Sequence, residues 1–165
     1  MSLLLLALLT LGVPMTDATA PSPVQAPPGV HVETGSRWGE VTRWVDERGD
    51  FRYRYDAQGR LVEVAREGRV VARLAYGADD RMQTLVIESS DGGAAKVLHL
   101  AYDARGRMVR MTLEGRGVVK VRHRADGETV VKTKLDGEGR LAVFGMMGTL
   151  GMLTQHAGIK VKTGA

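Results

Sequence analysis

The sequence predicts an all-β fold, an antiparallel sheet of stacked β-hairpins within one domain. Two observations carry this. From Glu40 onward, stretches rich in Val, Leu, Met, Tyr and Thr alternate with clusters of Gly, Asp and Arg about every ten residues, the spacing of successive hairpins. A seven-residue phrase also recurs: Tyr55-Asp56-Ala57-Gln58-Gly59-Arg60-Leu61 returns as Tyr102-Asp103-Ala104-Arg105-Gly106-Arg107-Met108 and, in looser form, as Tyr76-Gly77-Ala78-Asp79-Asp80-Arg81-Met82. Repetition of this kind marks a fold assembled from copies of one small unit. A chain of 165 residues has room for one modest core.

The N-terminus is set apart from this pattern. Leu3 to Leu11 form a nearly unbroken apolar run, and the polar stretch after it ends in Ala18-Thr19-Ala20, the small-x-small form after which signal peptidase cleaves. The run falls short of the roughly 20 apolar residues a membrane-spanning helix needs. Met1 to Ala20 is therefore read as a secretory signal. The chain has no cysteine, so it can form neither a disulfide framework nor a lipidated cysteine at the cleavage site. The expected product is exported, is not a lipoprotein, and suits a bacterial periplasm or exterior. Loss of the signal, whose one charged side chain is Asp17, takes the formal net charge from +4 to +5. Such a balance favours anionic envelope polymers, acidic partners or nucleic acid. Residues 21–36 come next as a linker: Pro21, Pro23, Pro27 and Pro28 are four of the five prolines and rule out a helix or interior strand there, and Gly35-Ser36 is a further break.

The β-domain is placed at residues 37–144. Strands are expected at Glu40 to Val45, Phe51 to Tyr55, Leu61 to Arg66, Val70 to Tyr76, Met82 to Glu88, Lys96 to Tyr102, Met108 to Glu114, Val118 to Arg124, Thr129 to Lys134 and Leu141 to Phe144. No segment reads as a long helix. Residues 145–165 are assigned to a Gly/Met-rich cap or tail. Leu141 to Leu153 is apolar with glycine at every third position near its middle; it is too short to span a bilayer and suits the terminal hydrophobic face that an open repeat array must cover.

The recurring phrase has a physical logic. Aspartate at the first turn position accepts hydrogen bonds from backbone amides two or three residues on, and glycine supplies the positive φ of a tight reversal. Tyrosine before the turn and Leu or Met after it end and begin adjacent strands, where they pair across the sheet. Arg60, Arg107 and Arg140 come directly after the glycine, within reach of the turn aspartate or a neighbouring repeat. Further echoes are Val45-Asp46-Glu47-Arg48-Gly49-Asp50-Phe51 and Leu135-Asp136-Gly137-Glu138-Gly139-Arg140-Leu141. Tyr55 to Tyr76 and Tyr102 to His123 are both 21 residues apart, while the 26 from Tyr76 to Tyr102 include the loop Ser89 to Ala94.

On these residues, from Val45 to Leu141, the chain resembles the YD-repeat proteins, also called RHS repeats, of bacterial surface and secreted proteins and of teneurins. The resemblance implies a long antiparallel sheet of stacked hairpins, which in large members curls into a hollow shell around a toxin or forms a cell-surface scaffold. Too few copies are present here to close a shell, so an open sheet is expected. In polymorphic toxins the repeats precede a self-cleaving segment marked by Asp-Pro-x-Gly. The chain contains no Asp-Pro pair, which weakens the reading as a toxin-delivery or immunity-related fragment. The family's repeats bring no catalytic residues with them.

Other chemistry finds little foothold. His31, His99, His123 and His156 are widely separated, and none sits at metal-ligand spacing from Asp, Glu or Cys. The serines lie in the signal, linker and turns without a nucleophile elbow, and Asp46, Asp56, Asp103 and Asp136 are accounted for as turn formers. No enzyme, cofactor or metal is expected. Trp38, Trp44, Phe51, Tyr53, Tyr55, Tyr76 and Tyr102 are assigned to packing ahead of sugar stacking. The most informative surface feature is a basic stripe. Alternation puts Lys120, Arg122 and Arg124 on one face of their strand and Lys132 and Lys134 on one face of the next. Paired across Asp126-Gly127, these cations share a face that reads either as a solvated sheet surface keeping the edges from aggregating or as a stripe for an anionic glycan or polymer. The patch lacks the interleaved aromatics of single-stranded nucleic-acid binding. The sequence-based expectation is a non-catalytic binding or structural module of the bacterial envelope, with an unknown envelope protein or anionic glycan as partner and sheet edges open to self-association.

Overall fold

The computed structural model describes residues 26–37, 39–155 and 159. The signal at 1–20, the first part of the linker, Trp38, His156 and the tail from residue 160 lie outside the described residues. Ten strands form one antiparallel sheet in chain order: β1 (His31–Thr34), β2 (Val41–Asp46), β3 (Gly49–Tyr55), β4 (Leu61–Arg66), β5 (Arg69–Tyr76), β6 (Met82–Ile87), β7 (Lys96–Tyr102), β8 (Met108–Leu113), β9 (Gly117–His123) and β10 (Thr129–Thr133). A helix, α1 (Gly137–Gln155), completes the fold. The sheet is an open meander, as the hairpin spacing predicts. One expectation gives way at the start: the end of the 21–36 linker is not irregular, because His31–Thr34 pairs with Val41–Val45. The prolines that define the linker stop at Pro28, and Val30 and Val32 already pack against the core.

One irregularity recurs with the repeat. Arg54 pairs with Glu63 but Tyr55 with Leu61; Ala75 pairs with Thr84 but Tyr76 with Met82; Ala101 pairs with Arg110 but Tyr102 with Met108. Thr34 and Val41 show the same slip. Thr42, Val62, Gln83 and Val109 are thus the extra residues of four β-bulges, each at the second position of an even-numbered strand. A strand of strict period two would send residues three apart to opposite faces; a bulge returns them to the same one. This is why Val41 and Trp44, Leu61 and Val64, and Met82 and Leu85 are all buried on one side.

That inner side is covered by α1. Its 19 residues span about 28 Å at 1.5 Å per residue, close to the roughly 29 Å of six inter-strand spacings. Its ends are fixed accordingly. Arg116, in the β8–β9 turn, donates to Glu138 at 2.7 Å, and the Tyr53 hydroxyl on β3 donates to the Leu153 carbonyl at 2.9 Å. Val143, Met146, Leu150 and Leu153 face the sheet, a helical spacing of three and four.

The helix overturns two expectations. Leu141 to Phe144 is helical and not a strand, and Asp136, Gly139 and Arg140 form no hairpin turn. Asp136 instead caps the helix: its Oδ1 accepts the Gly139 amide at 2.6 Å, the bond from cap to third helical residue that satisfies one orphan donor of the first turn. An aspartate three residues before a glycine suits a turn and a helix start equally, and the residues downstream of it decide between them. Here they offer no complementary strand, and the inner face of the sheet is open to be covered. The capping role expected for residues 145–165 is filled by a helix that begins earlier and lies across the sheet's inner face, not at its end.

Candidate functional site on the outer sheet face

The repeated residues are engaged with one another. In the turn between β3 and β4, Asp56 Oδ1 accepts the Gln58 and Arg60 amides at 3.0 and 2.9 Å, and its Oδ2 accepts Arg60 Nε at 2.7 Å. In the β7–β8 turn, Asp103 accepts the Arg105 and Arg107 amides, both at 2.9 Å, and Arg107 Nε at 2.9 Å. Gly59 and Gly106 close these turns at φ of 78° and 80°, and a side chain at Gly106 would collide with the Arg81 guanidinium. The intervening copy lacks the aspartate, since Gly77 takes its place, and Asp80 adopts φ of 60° in the glycine position. Support comes from the previous copy: Arg60 donates to Asp80 at 2.8 Å and lies 4.9 Å over the Tyr76 ring.

Each tyrosine hydroxyl reaches back one hairpin. Tyr55 donates to the Val41 carbonyl at 2.8 Å, Tyr76 to Leu61 at 2.8 Å and Tyr102 to Met82 at 2.7 Å. His123 takes the same place in the last copy, with Nε2 2.9 Å from the Met108 carbonyl. That bond requires the proton on Nε2, leaving Nδ1 to accept from the Thr129 hydroxyl at 3.3 Å. Every acceptor is the first residue of a bulged strand, so the strut and the bulge form one device. Burial pushes the Tyr76 pKa up to about 12, which keeps its hydroxyl protonated and donating. Tyr76→Phe should cost about 0.5–1.5 kcal/mol, read as a lower urea midpoint at unchanged m-value.

The turn aspartates also set an acid limit. The Arg107 amide, and after it the Arg107 side chain, hold Asp103 below the ordinary aspartate value of 3.8. A carboxyl depressed in the folded state gives stability that is complete above the unfolded value and is lost as pH falls through the folded one. The melting temperature should therefore drop once pH falls below about 4, and Asp103→Asn should flatten that drop.

The outer face, opposite α1, changes character along the sheet. On β1 to β5 its cations are matched. Glu33 meets Arg43 at 2.8 Å, Arg43 meets Asp50 at 2.9 Å, and Arg54 and Arg73 flank Glu63 at 3.2 and 3.4 Å, with Glu88 closing on Arg73. Farther along, His99 on β7 contacts Glu114 at 2.7 Å. Beyond it the matching stops. The predicted stripe is brought together as the alternation requires: Lys120 is directly opposite Lys132, and Arg122 opposite Val130. Lys120, Arg122, Lys132 and Lys134 are exposed and have no acidic partner at ion-pair distance among the described residues. Arg124 differs, being paired with Glu128. Arg110 belongs to the group but escaped sequence reasoning. It lies opposite Lys120 on β8, and the alternation of its own strand, Met108-Val109-Arg110-Met111, is masked by the bulge at Val109. A shallow depression at the same end is lined by Arg107, Arg122, Arg124 and Lys132, with Val109 and Val130 between them.

Among the described residues no group of three or more His, Asp or Glu side chains gathers where a metal could be held, and no helix is long and apolar enough to cross a membrane.

Residues 36–71 match the family model described as RHS Repeat. Comparison with curated proteins found no match. The matched segment holds the bulge at Val62, the Asp56 turn and the Tyr55 strut, and the same devices continue through Tyr76, Tyr102 and His123. Residues 36–71 are thus an RHS repeat, and the hairpins that follow are built on the same turn, strut and bulge.

Proposed function

We propose that this is a non-catalytic binding module of the bacterial envelope, exported by its N-terminal segment, whose sheet presents a basic outer face to an anionic glycan or similar polymer. The observation behind this reading is the break in charge matching. The sheet pairs its outer-face cations with carboxylates on β1 to β5, whereas Arg110, Lys120, Arg122, Lys132 and Lys134 on and after β8 to β10 have no such partner among the described residues. Surface ion pairs contribute little stability each, so the fold loses little by leaving cations unmatched, and a ligand gains a steering field from them. The conspicuous residues of the repeat are occupied as turns and struts and are not free for chemistry.

The protein is expected to be retained on an immobilised anionic polysaccharide at low salt and released as salt rises. Neutralising Lys120, Arg122, Lys132 and Lys134 together should abolish retention. Salt-insensitive or absent retention would sink the reading. Assays on cell-wall and glycan substrates should show no turnover above background.

A further inference from the structure

Resting on the basic-face reading above, we infer that the ligand is a linear polyanion that crosses the strands, laying successive charges on Arg110, Lys120 and Lys132. These three residues form a straight row: Arg110 is the cross-strand partner of Lys120, and Lys120 that of Lys132. Like charges directly opposite each other on neighbouring strands are destabilising, and here two such pairs share one residue. The matched end of the same face answers its opposed cations with carboxylates: Arg43 and Arg52 are also cross-strand partners, but both pair with Asp50, at 2.9 and 3.9 Å. Arg54, Glu63 and Arg73 are cross-strand partners in sequence and alternate in sign. The basic row has the same geometry with the alternation removed, and an anionic chain laid along it supplies the missing sign.

The spacing narrows the ligand. Neighbouring strands are about 4.8 Å apart, so the row asks for one anionic group about every 5 Å along an extended chain, the repeat of a polysaccharide with one carboxylate per sugar. The row ends at Ala101 on β7, the partner of Arg110, and at the exposed edge of β10, so three consecutive anionic units fill it. Thr112 and Val118, cross-strand partners on the same face, and Val130 flank it with small uncharged side chains that let a sugar ring lie flat. A chain running along the strands instead meets Lys120, Arg122 and then Arg124, whose charge Glu128 already answers.

The test is calorimetric titration of the full chain with oligogalacturonides of one to six units, an uncharged oligosaccharide, polyphosphate and single-stranded DNA. Affinity should climb to three units and then level off. Each of Arg110→Gln, Lys120→Gln and Lys132→Gln should weaken trimer binding about two- to fivefold and reduce the salt slope by about one. Arg54→Gln, in the matched row, should leave both unchanged. Relief of opposed charge should also leave the Lys120→Gln melting temperature equal to or above that of the parent, so weaker binding cannot be blamed on unfolding. Tighter binding of polyphosphate or DNA than of the uronate trimer overturns the inference. So does a silent Arg110→Gln beside a damaging Arg122→Gln, which would place a compact anion in the depression near Arg107. Either result leaves the broader anionic-polymer reading standing, whereas failure to bind any of the anionic probes overturns both.

Discussion

Met146→Asp is expected to cost more than about 4 kcal/mol, enough to unfold a marginally stable domain, while Phe144→Asp, two residues away, changes stability by no more than about 0.5 kcal/mol. Met146 is 2% exposed and Phe144 77%, because a helix turns about 200° over two residues. A carboxylate at 146 would be trapped between α1 and the sheet without a cation, and burying an unpaired charge is among the costliest single changes. At 144 the same carboxylate stands in water. Thermal melts followed by far-ultraviolet circular dichroism separate the two outcomes. Equal losses at both positions would mean that α1 does not lie on the sheet as described.

The second large effect lies beneath the helix. Leu74, Leu85, Leu98 and Leu113 are successive cross-strand partners on β5 to β8, and Leu85 and Leu98 are fully buried. Four leucines thus form a ridge on the inner face. Leu85→Ala should cost about 2–5 kcal/mol, the lost transfer energy plus the cavity left between two neighbours held by their own ladders. Leu85→Met keeps most of the volume and should cost less than about 1.5 kcal/mol. Denaturant midpoints at constant m-value measure both. A cost below about 1 kcal/mol for the alanine variant would show that the ridge collapses around the gap and is not rigidly packed.

Much of this was legible in the sequence because it is local. Asp56 and Gly59 betray a turn through chemistry confined to a few residues, and the recurrence at Asp103 and Gly106 fixes the order of hairpins without any knowledge of the core. The bulges left a subtler trace, the burial of residues three apart within strands, which a period-two reading treats as noise. Arg110 was hidden for that reason, since its membership in the basic row depends on the register between β8 and β9. The helix was hidden by mimicry. Leu135 to Leu141 copies the repeat phrase, and the apolar stretch after it has glycines at positions 145, 148 and 151 that dilute any amphipathic pattern. Only the need to cover a sheet face distinguishes it, and that need is a property of the whole fold.

The backward reach of the tyrosine struts bears on how such a chain can change length over generations. The copies at Tyr55, Tyr76 and Tyr102 each contribute one hydroxyl toward the predecessor and one carbonyl toward the successor. A pair of strands duplicated within the array therefore arrives with the donor it needs and supplies the acceptor its successor needs, and a deletion of one whole pair rejoins its two neighbours just as well. Insertion or loss of a partial copy breaks the correspondence and strands a half-buried polar group. Genetic change should thus be tolerated in whole copies of about 21 residues, the interval separating Tyr55 from Tyr76, with irregular lengths confined to loops such as the one from Ser89 to Ala94.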